Sequence, residues 1–561
     1  MNNENDKNIF LEEYENEFSY KKSKTNLNIE FNRIAFIFFI FLLVSIIYSI
    51  QLLHLGSLKI DNKKIKVPIN KKNYRADIID RNGNYLVKSV SSIDIGIYPA
   101  DIIDKKRLLI NLKWIFPEKN YFEIKKKINK NKFFKFEKQI SLVNYEKIMS
   151  LGDKSIRSEE KLTRLYPQKN LFSHIIGQID DDNNGISGLE KSFDADLKES
   201  SIPIQLTVDA DIQFLIREEL LRFQEIFRAK GSAAILMNVN SGNIISMVSL
   251  PDFNLNKRET IKDVNYINRA TKGVYELGSV FKTFTIAAGL DEGLIEPDTK
   301  YLNLEKRLPC DKFMISEYSD KTPTDITVEQ ILIRSGNIGS VKIGQKIGEE
   351  KFKAFLKKVG VLTKIKFDIE EVGEPIPINW GKCKLATASY GHGITTTLLQ
   401  LAKGYSIITN GGFDIDPTII KKEISAKKNK KRILNRDVSI KINKILRKIV
   451  ANDEGTAELA NVSGYDVGGK TGTAQKSRDG KYSNAKINTF AAIFPSKKPK
   501  FTLIVMLDEP KTNSEYIYYY RDDKRPTKGT PYNTAGWTSV EVAGKIIEKI
   551  GPILATKYIE N

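Results

Sequence analysis

Glu276-Leu277-Gly278-Ser279-Val280-Phe281-Lys282-Thr283-Phe284-Thr285-Ile286-Ala287-Ala288 reads as a short polar entry into a helix that is apolar on nearly every side. On a helix, positions i and i+3 share a face, so the Lys282 amine can reach the Ser279 hydroxyl. A serine is a poor nucleophile unless a base takes its proton. A lysine can be that base only when neutral, which requires desolvation or a nearby positive charge. Val280, Phe281, Phe284, Ile286, Ala287 and Ala288 predict that burial. The string alone decides nothing, because Ser-x-x-Lys also begins at Ser19, Ser158, Ser425 and Ser483.

Further along the chain, Ser335-Gly336-Asn337 follows a predicted helix whose start, Thr327-Val328-Glu329-Gln330, fits a capping box. Its serine can relay protons and its amide can hold a substrate backbone. Ser241-Gly242-Asn243 has the same pattern, but it lies between predicted strands 233–238 and 244–250 and reads as a hairpin turn. The third string, Lys470-Thr471-Gly472-Thr473, follows Gly468-Gly469, and Lys-Thr-Gly occurs once in the chain. A strand carrying a cation, two hydroxyls and a position without a side chain can bind a carboxylate at its edge. The order and spacing of the three strings point to serine acyl transfer.

Other chemistries fit less well. There is no Gly-x-Ser-x-Gly elbow, the histidines are His54, His174 and His392, and no His-Glu-x-x-His occurs. Cys310 and Cys383 form no Cys-x-x-Cys pair, which argues against a zinc site; whether they bond to each other or stay as buried thiols is left open. No metal and no cofactor is expected. The formal net charge is +20, but the basic residues are spread along the chain without an aromatic-interleaved stripe, so nucleic acid is not an expected partner.

The 561 residues exceed one ordinary domain. The segment 1–33, with Glu12, Glu13, Glu15 and Glu17, reads as a tail. An apolar run over 34–54 reaches the ~20 residues that cross a bilayer and lacks a cleavage site, so it reads as an uncleaved signal anchor. Lysines flank it on both sides (Lys21, Lys22 and Lys24 before, Lys59, Lys63, Lys64 and Lys66 after), so charge does not fix its orientation. Residues 55–203 read as a mixed α/β domain, with an Asn82-Gly83 hairpin signal and a lysine-rich helix over Tyr121 to Phe136. Residues 204–551 read as α+β: a strand from Ile204, a helix capped by Asp209, an antiparallel sheet flanked by helices, a helical insert between about 278 and 405, and a closing helix from Ser539 to about Ile550. Residues 552–561 form a C-terminal tail.

With these motifs in place, the chain resembles the class B penicillin-binding proteins, specifically the division-specific FtsI type. Asp80-Arg81-Asn82-Gly83 is similar to the entry into that family's non-catalytic pedestal, and Gly188-Leu189-Glu190 to a signature near its end. Asn268-Arg269-Ala270, Ala386 through Gly393 and Asp508-Glu509-Pro510 match in kind and order. The resemblance implies a peptidoglycan D,D-transpeptidase that is also the target of β-lactams. Ser279 is then the nucleophile that attacks D-Ala-D-Ala stem peptides and Lys282 its base, with Ser335 and Asn337 assisting. Lys470, Thr471, Gly472 and Thr473 bind the terminal carboxylate, and the N–H groups of Ser279 and Thr473 form the oxyanion hole. It also implies a cytoplasmic N-terminus, a periplasmic catalytic domain in a bacterial inner membrane, and a place at the division septum. Its partners there are a membrane glycosyltransferase of the shape, elongation, division and sporulation family and other divisome proteins. An elongation-type transpeptidase, a carboxypeptidase or β-lactamase-like hydrolase and an inactive scaffold are the alternatives. Leu277 and Thr283 stand where proline is common in relatives, and Ala76 where glycine is frequent.

Overall fold

The computed structural model describes residues 24–57, 74–257, 266–311, 313–381, 383–422, 431–478, 481–519 and 526–558. The Ser-x-x-Lys strings at Ser19 and Ser425, and most of the expected tail, lie outside them. Two units separate, residues 1–71 and 72–561.

Among the described residues the first unit contains one helix, α1 (Lys24–Ser57). Its segment Ala35–His54 has a mean hydropathy of 2.6 and none of its residues is buried, with Phe36, Phe38, Phe41 and Leu53 all exposed. At 1.5 Å per residue these 20 residues span roughly 30 Å, the thickness of a bilayer core. This is a helix long and apolar enough to cross a membrane once.

The second unit opens with a sheet of β1 (Ile78–Ile79), β2 (Tyr85–Ile97), β3 (Phe134–Glu137), β4 (Ile156–Leu165) and β5 (Ile204–Gln205). The β1–β2 turn forms where Asn-Gly predicted it. Asp80 Oδ1 accepts the N–H groups of Asn82 and Asn84, both at 2.8 Å, and Gly83 takes φ +90°. Strand β5, read from sequence as the opening of the next domain, pairs in parallel with β1. Helices α2 (Lys105–Ile115), α3 (Tyr121–Asn129) and α4 (Leu142–Met149) close a small core of their own over Ile95, Ile97, Leu112 and Ile148. The lysine-rich helix thus stops at Asn129 and does not reach Phe136. Asn131 turns the chain at φ +52°, and Phe134 and Phe136 continue as a strand paired with β2.

The larger sheet runs β14 (Gly468–Arg478), β15 (Lys481–Phe494), β16 (Phe501–Asp508), β6 (Gly231–Asn238) and β7 (Ile244–Leu250), antiparallel throughout. All eight residues of β16 are buried, so both faces of the sheet are covered. Helix α5 (Ala210–Ile226) packs against β7 with Asp209 as its N-cap, and α13 (Ser539–Tyr558) lies along α5 and β16. Helix α13 runs eight residues past the expected end at Ile550. Tyr558 anchors it, donating to Asp209 Oδ2 at 3.0 Å beneath the Arg81 guanidinium.

Between β7 and β14 lies the insert. It comprises β8 (Tyr275–Glu276), the 3-10 turn Gly278–Phe281, α6 (Lys282–Asp291), the strand pair β9 (Lys300–Tyr301) with β12 (Ile326–Thr327), and the hairpin β10 (Arg307–Cys310) with β11 (Phe313–Ser316). Then follow α7 (Val328–Ile333), α8 (Asn337–Ile347), α9 (Glu349–Lys358), α10 (Lys384–Ser389), β13 (Thr395–Thr396), α11 (Leu398–Thr409) and α12 (Arg436–Ala451). The α7 capping box forms as read, with Thr327 and Gln330 reciprocally bonded. Cys310 and Cys383 are disulfide-bonded, Cα to Cα 5.6 Å, and tie the β10–β11 hairpin to the start of α10.

Candidate active site

Ser279 sits in the 3-10 turn, partly open, and its hydroxyl makes no hydrogen bond to another described residue. Three backbones converge on this turn because glycines leave room. A Cβ on Gly472 of β14 would meet Leu277 O at 2.1 Å, one on Gly278 would meet Thr473 O at 2.8 Å, and one on Gly391 would meet Gly278 O at 1.9 Å. The nucleophile turn therefore rests directly on the edge strand carrying Lys470 to Thr473. Thr283, where relatives favour proline, bonds Tyr405 Oη at 2.9 Å, and Tyr405 Oη donates to Val280 O at 2.9 Å. Those bonds supply by side chain a restraint that proline would supply by its ring. Leu277, at the other departure, is fully buried in the core, and so is Ala76.

Lys282, the first residue of α6, is 1% exposed. Its Nζ donates to Ser335 O at 2.5 Å and Asn337 Oδ1 at 2.7 Å, and lies 3.1 Å from Ser335 Oγ. Burial pushes this amine down to about 7, against the opposing pull of the Glu317 carboxylate. No hydrogen bond joins Lys282 to Ser279 among the described residues; the amine faces the second string.

That string owes its shape to a helix end. Ser335 N–H donates to Leu332 O at 3.3 Å and Gly336 N–H to Ile331 O at 2.8 Å, the paired bonds of a Schellman motif, with Ser335 at the left-handed position, φ +60°. A non-glycine residue there costs about 1–2 kcal/mol. What the strain achieves is placement: Ser335 Oγ lies between the two lysines, 2.9 Å from Lys470 Nζ. Asn337 follows as the first residue of α8, its Nδ2 donating to Ser316 O at 2.8 Å.

Lys470 is fully buried. Burial first, and the Lys282 ammonium second, hold its amine well below the ordinary lysine range. Strand alternation turns Lys470 and Gly472 to one side of β14 and Thr471 and Thr473 to the other. Thr471 Oγ1 bonds Thr456 Oγ1 at 2.8 Å, and Thr473 Oγ1 accepts from Ala535 N–H at 2.9 Å. The decoy strings are disposed differently. Ser158 lies on β4, where i and i+3 point to opposite faces, and Ser483 lies on β15 with its hydroxyl donating to Lys476 O at 3.0 Å. Ser241 occupies the β6–β7 turn with Gly242 at φ +80°.

Sequence reasoning missed Glu317, whose carboxylate accepts Asn337 N–H at 2.7 Å and Ile338 N–H at 2.8 Å. It also gave no role to the clasp in which Glu276 accepts from Gly393 N–H at 3.0 Å and Tyr482 Oη at 3.1 Å, beside the His392 ring. Neither has a local signal, since their partners lie 20 residues or more away. Among the described residues no group of three metal-ligating side chains occurs.

The arrangement is that of a serine acyl-transfer site: an unengaged hydroxyl on a turn, a buried amine lowered toward neutrality, and a hydroxyl bridging to a second buried lysine amine. Residues 232–523 match the penicillin binding protein transpeptidase domain, and residues 70–219 the penicillin-binding protein dimerisation domain. The chain belongs to the penicillin-binding protein transpeptidase family. It is 29% identical over 500 residues to a probable peptidoglycan D,D-transpeptidase FtsI of Caulobacter vibrioides, covering 86% of this chain and 82% of that one. It is 29% identical to stage V sporulation protein D of Bacillus subtilis, over 79% of this chain and 75% of that one. Penicillin-binding protein 3 of a Mycobacterium, solved in complex with aztreonam, shares the fold with a TM-score of 0.64 at 20% identity, over 87% of this chain and 97% of that one.

Proposed function

We propose that this chain is a septal peptidoglycan D,D-transpeptidase acting through an acyl-enzyme on Ser279. The observation that carries the reading is the Ser335 hydroxyl, held between the Lys282 and Lys470 amines beside a turn that presents an unengaged serine. Neutral Lys282 takes the Ser279 proton as the serine oxygen attacks the penultimate D-Ala carbonyl. The N–H groups of Ser279 and Thr473 stabilise the oxyanion. Lys470, Thr471, Gly472 and Thr473 receive the terminal carboxylate. Collapse of the tetrahedral adduct breaks the peptide bond, and the proton reaches the departing D-Ala nitrogen through Lys282 and Ser335. An amine from a second stem peptide then attacks the ester, forming the cross-link and returning the proton to Ser279. Asn337 orients Lys282 and the substrate backbone. A β-lactam enters the first half of this sequence and stops there.

The septal assignment rests on Asn337 and Thr471, which agree with the division type, and on the named Caulobacter relative. With it go a cytoplasmic N-terminus and a catalytic domain on the periplasmic side of a bacterial inner membrane. The proposed organisation is anchor 34–54, pedestal 55–203 and transpeptidase domain 204–551. The proposed partners are a membrane glycosyltransferase of the shape, elongation, division and sporulation family and other divisome proteins. Labelling with a fluorescent penicillin, followed by mapping of the modified peptide, tests the chemistry: label on Ser279 is expected, and label on another serine overturns it. Depletion tests the place: cells that lengthen without dividing are expected, and rounded cells with intact septa reject it.

A further inference from the structure

We propose that Glu317 is a positioning residue for acylation, whose carboxylate seats Asn337 over the Lys282 amine and supplies the negative charge that faces it. The inference rests on the reading of Lys282 as the base for Ser279. Glu317 directly follows β11, the returning strand of the hairpin that the Cys310–Cys383 disulfide ties to α10. Its two oxygens each accept one of the first N–H groups of α8, from Asn337 and Ile338, at 2.7 and 2.8 Å. These donors have no partner within the helix, so a carboxylate is the group best suited to hold them. Ser316 O takes the Asn337 Nδ2 hydrogen at 2.8 Å, which leaves Asn337 Oδ1 turned to Lys282 Nζ at 2.7 Å. One short segment thus fixes both the backbone and the amide orientation of the residue that holds the amine.

Burial disfavours protonation of the Lys282 amine and the Glu317 carboxylate, from the hairpin, favours it, while the Lys282 ammonium in turn lowers the Lys470 amine on the far side of the Ser335 hydroxyl. Removing Glu317's charge leaves that burial unopposed and lowers the pH at which Lys282 becomes neutral.

The test is the pH profile of acylation of the full-length protein by a fluorescent penicillin, with thermal melting of each variant as the check on folding. For Glu317→Gln the acid limb of the rate is expected to move down by roughly one pH unit, with a lower plateau because one acceptor oxygen is lost. Glu317→Asp keeps the charge and is expected to hold the limb near the wild-type position even where its plateau falls, so it carries the test if the glutamine variant melts early. A limb that stays put in Glu317→Gln while the rate falls equally at every pH would reduce Glu317 to a helix cap and overturn the proposal. So would an aspartate limb displaced as far as the glutamine one. Wild-type protein that takes no label rejects the acyl-transfer reading itself, which is a different outcome.

Discussion

Lys282 and Lys470 share one hydroxyl: Ser335 Oγ lies 3.1 Å from the first amine and 2.9 Å from the second. Two ammonium groups this close, both buried, repel strongly, so the site favours one proton between them over two. Ser335 is the only side chain placed by the described hydrogen bonds to pass that proton from one amine to the other.

Ser335→Ala should therefore slow acylation by about 10²-fold or more, the usual worth of a positioned proton-transfer group. The backbone already holds φ +60° with a Cβ present, so the fold and melting temperature should change little. Stopped-flow acylation beside a melting curve checks both halves.

Because burial sets Lys282 near neutrality, the acylation rate should rise through about pH 7 and level off above it. Below that range the amine is protonated and cannot take the Ser279 proton. Lys282→Arg keeps a cation at every accessible pH and should lose acylation by about 10²-fold or more across the profile. Near-normal rates in that variant would remove Lys282 from the role of base.

Gly472→Ala tests the contact between the nucleophile turn and the edge strand. Its Cβ would stand 2.1 Å from Leu277 O, a backbone atom that cannot swing aside. The strand and the turn must separate, at a cost of about 1–3 kcal/mol, and acylation should fall more than stability does. A melting shift of a few degrees with labelling nearly abolished is the expected pair of results.

Much of this architecture was legible because its signals are local. The Asp209 cap, the Thr327–Gln330 capping box and the β6–β7 turn at Asn240 to Asn243 each follow from residues within four positions of one another. Helix α3 is shorter than its lysines and phenylalanines predict, because Asn131 adopts a positive φ and β2 offers Phe134 a partner. The catalytic strings could be read as strings, but the face to which Lys282 turns could not. That depends on the left-handed Ser335, which meets Lys282 from 53 residues away, and on Glu317, whose charge acts on it from 35 residues away. The Cys310–Cys383 bond spans 73 residues and left no mark on its neighbours' sequence.

Glu190 is an opportunity to separate stability from chemistry. Its carboxylate is fully buried and accepts from Arg75 Nε at 2.5 Å and Arg164 Nε at 3.0 Å, both guanidinium groups being nearly inaccessible. Glu190→Gln leaves two buried cations facing a neutral amide, with only Asp194 still paired to Arg75. The expected loss is about 3–5 kcal/mol of stability. At temperatures where the variant stays folded, Ser279 labelling should proceed at the wild-type rate, since none of these groups touches the site.

His174 gives the fold a sensitivity to acid. Burial pushes its imidazole down to about 4; Arg269 works in the same direction and Asp252 against it. The ring packs edge-on against Phe253, and its backbone oxygen accepts from Asn268 Nδ2 at 3.2 Å, in the segment that leads to the nucleophile turn. The unfolded chain takes up a proton here at about pH 6.5, whereas the folded one resists until about pH 4. Between those values the unfolded state binds more protons, so stability is full above about 6.5 and declines as the pH falls toward 4. The loss levels off at up to about 3 kcal/mol. His174→Phe keeps a ring against Phe253 and removes the titration. Its melting temperature should therefore fall less than that of the wild type between pH 6.5 and 4. Parallel melting curves for the two proteins across that range would show that His174 carries none of the acid sensitivity.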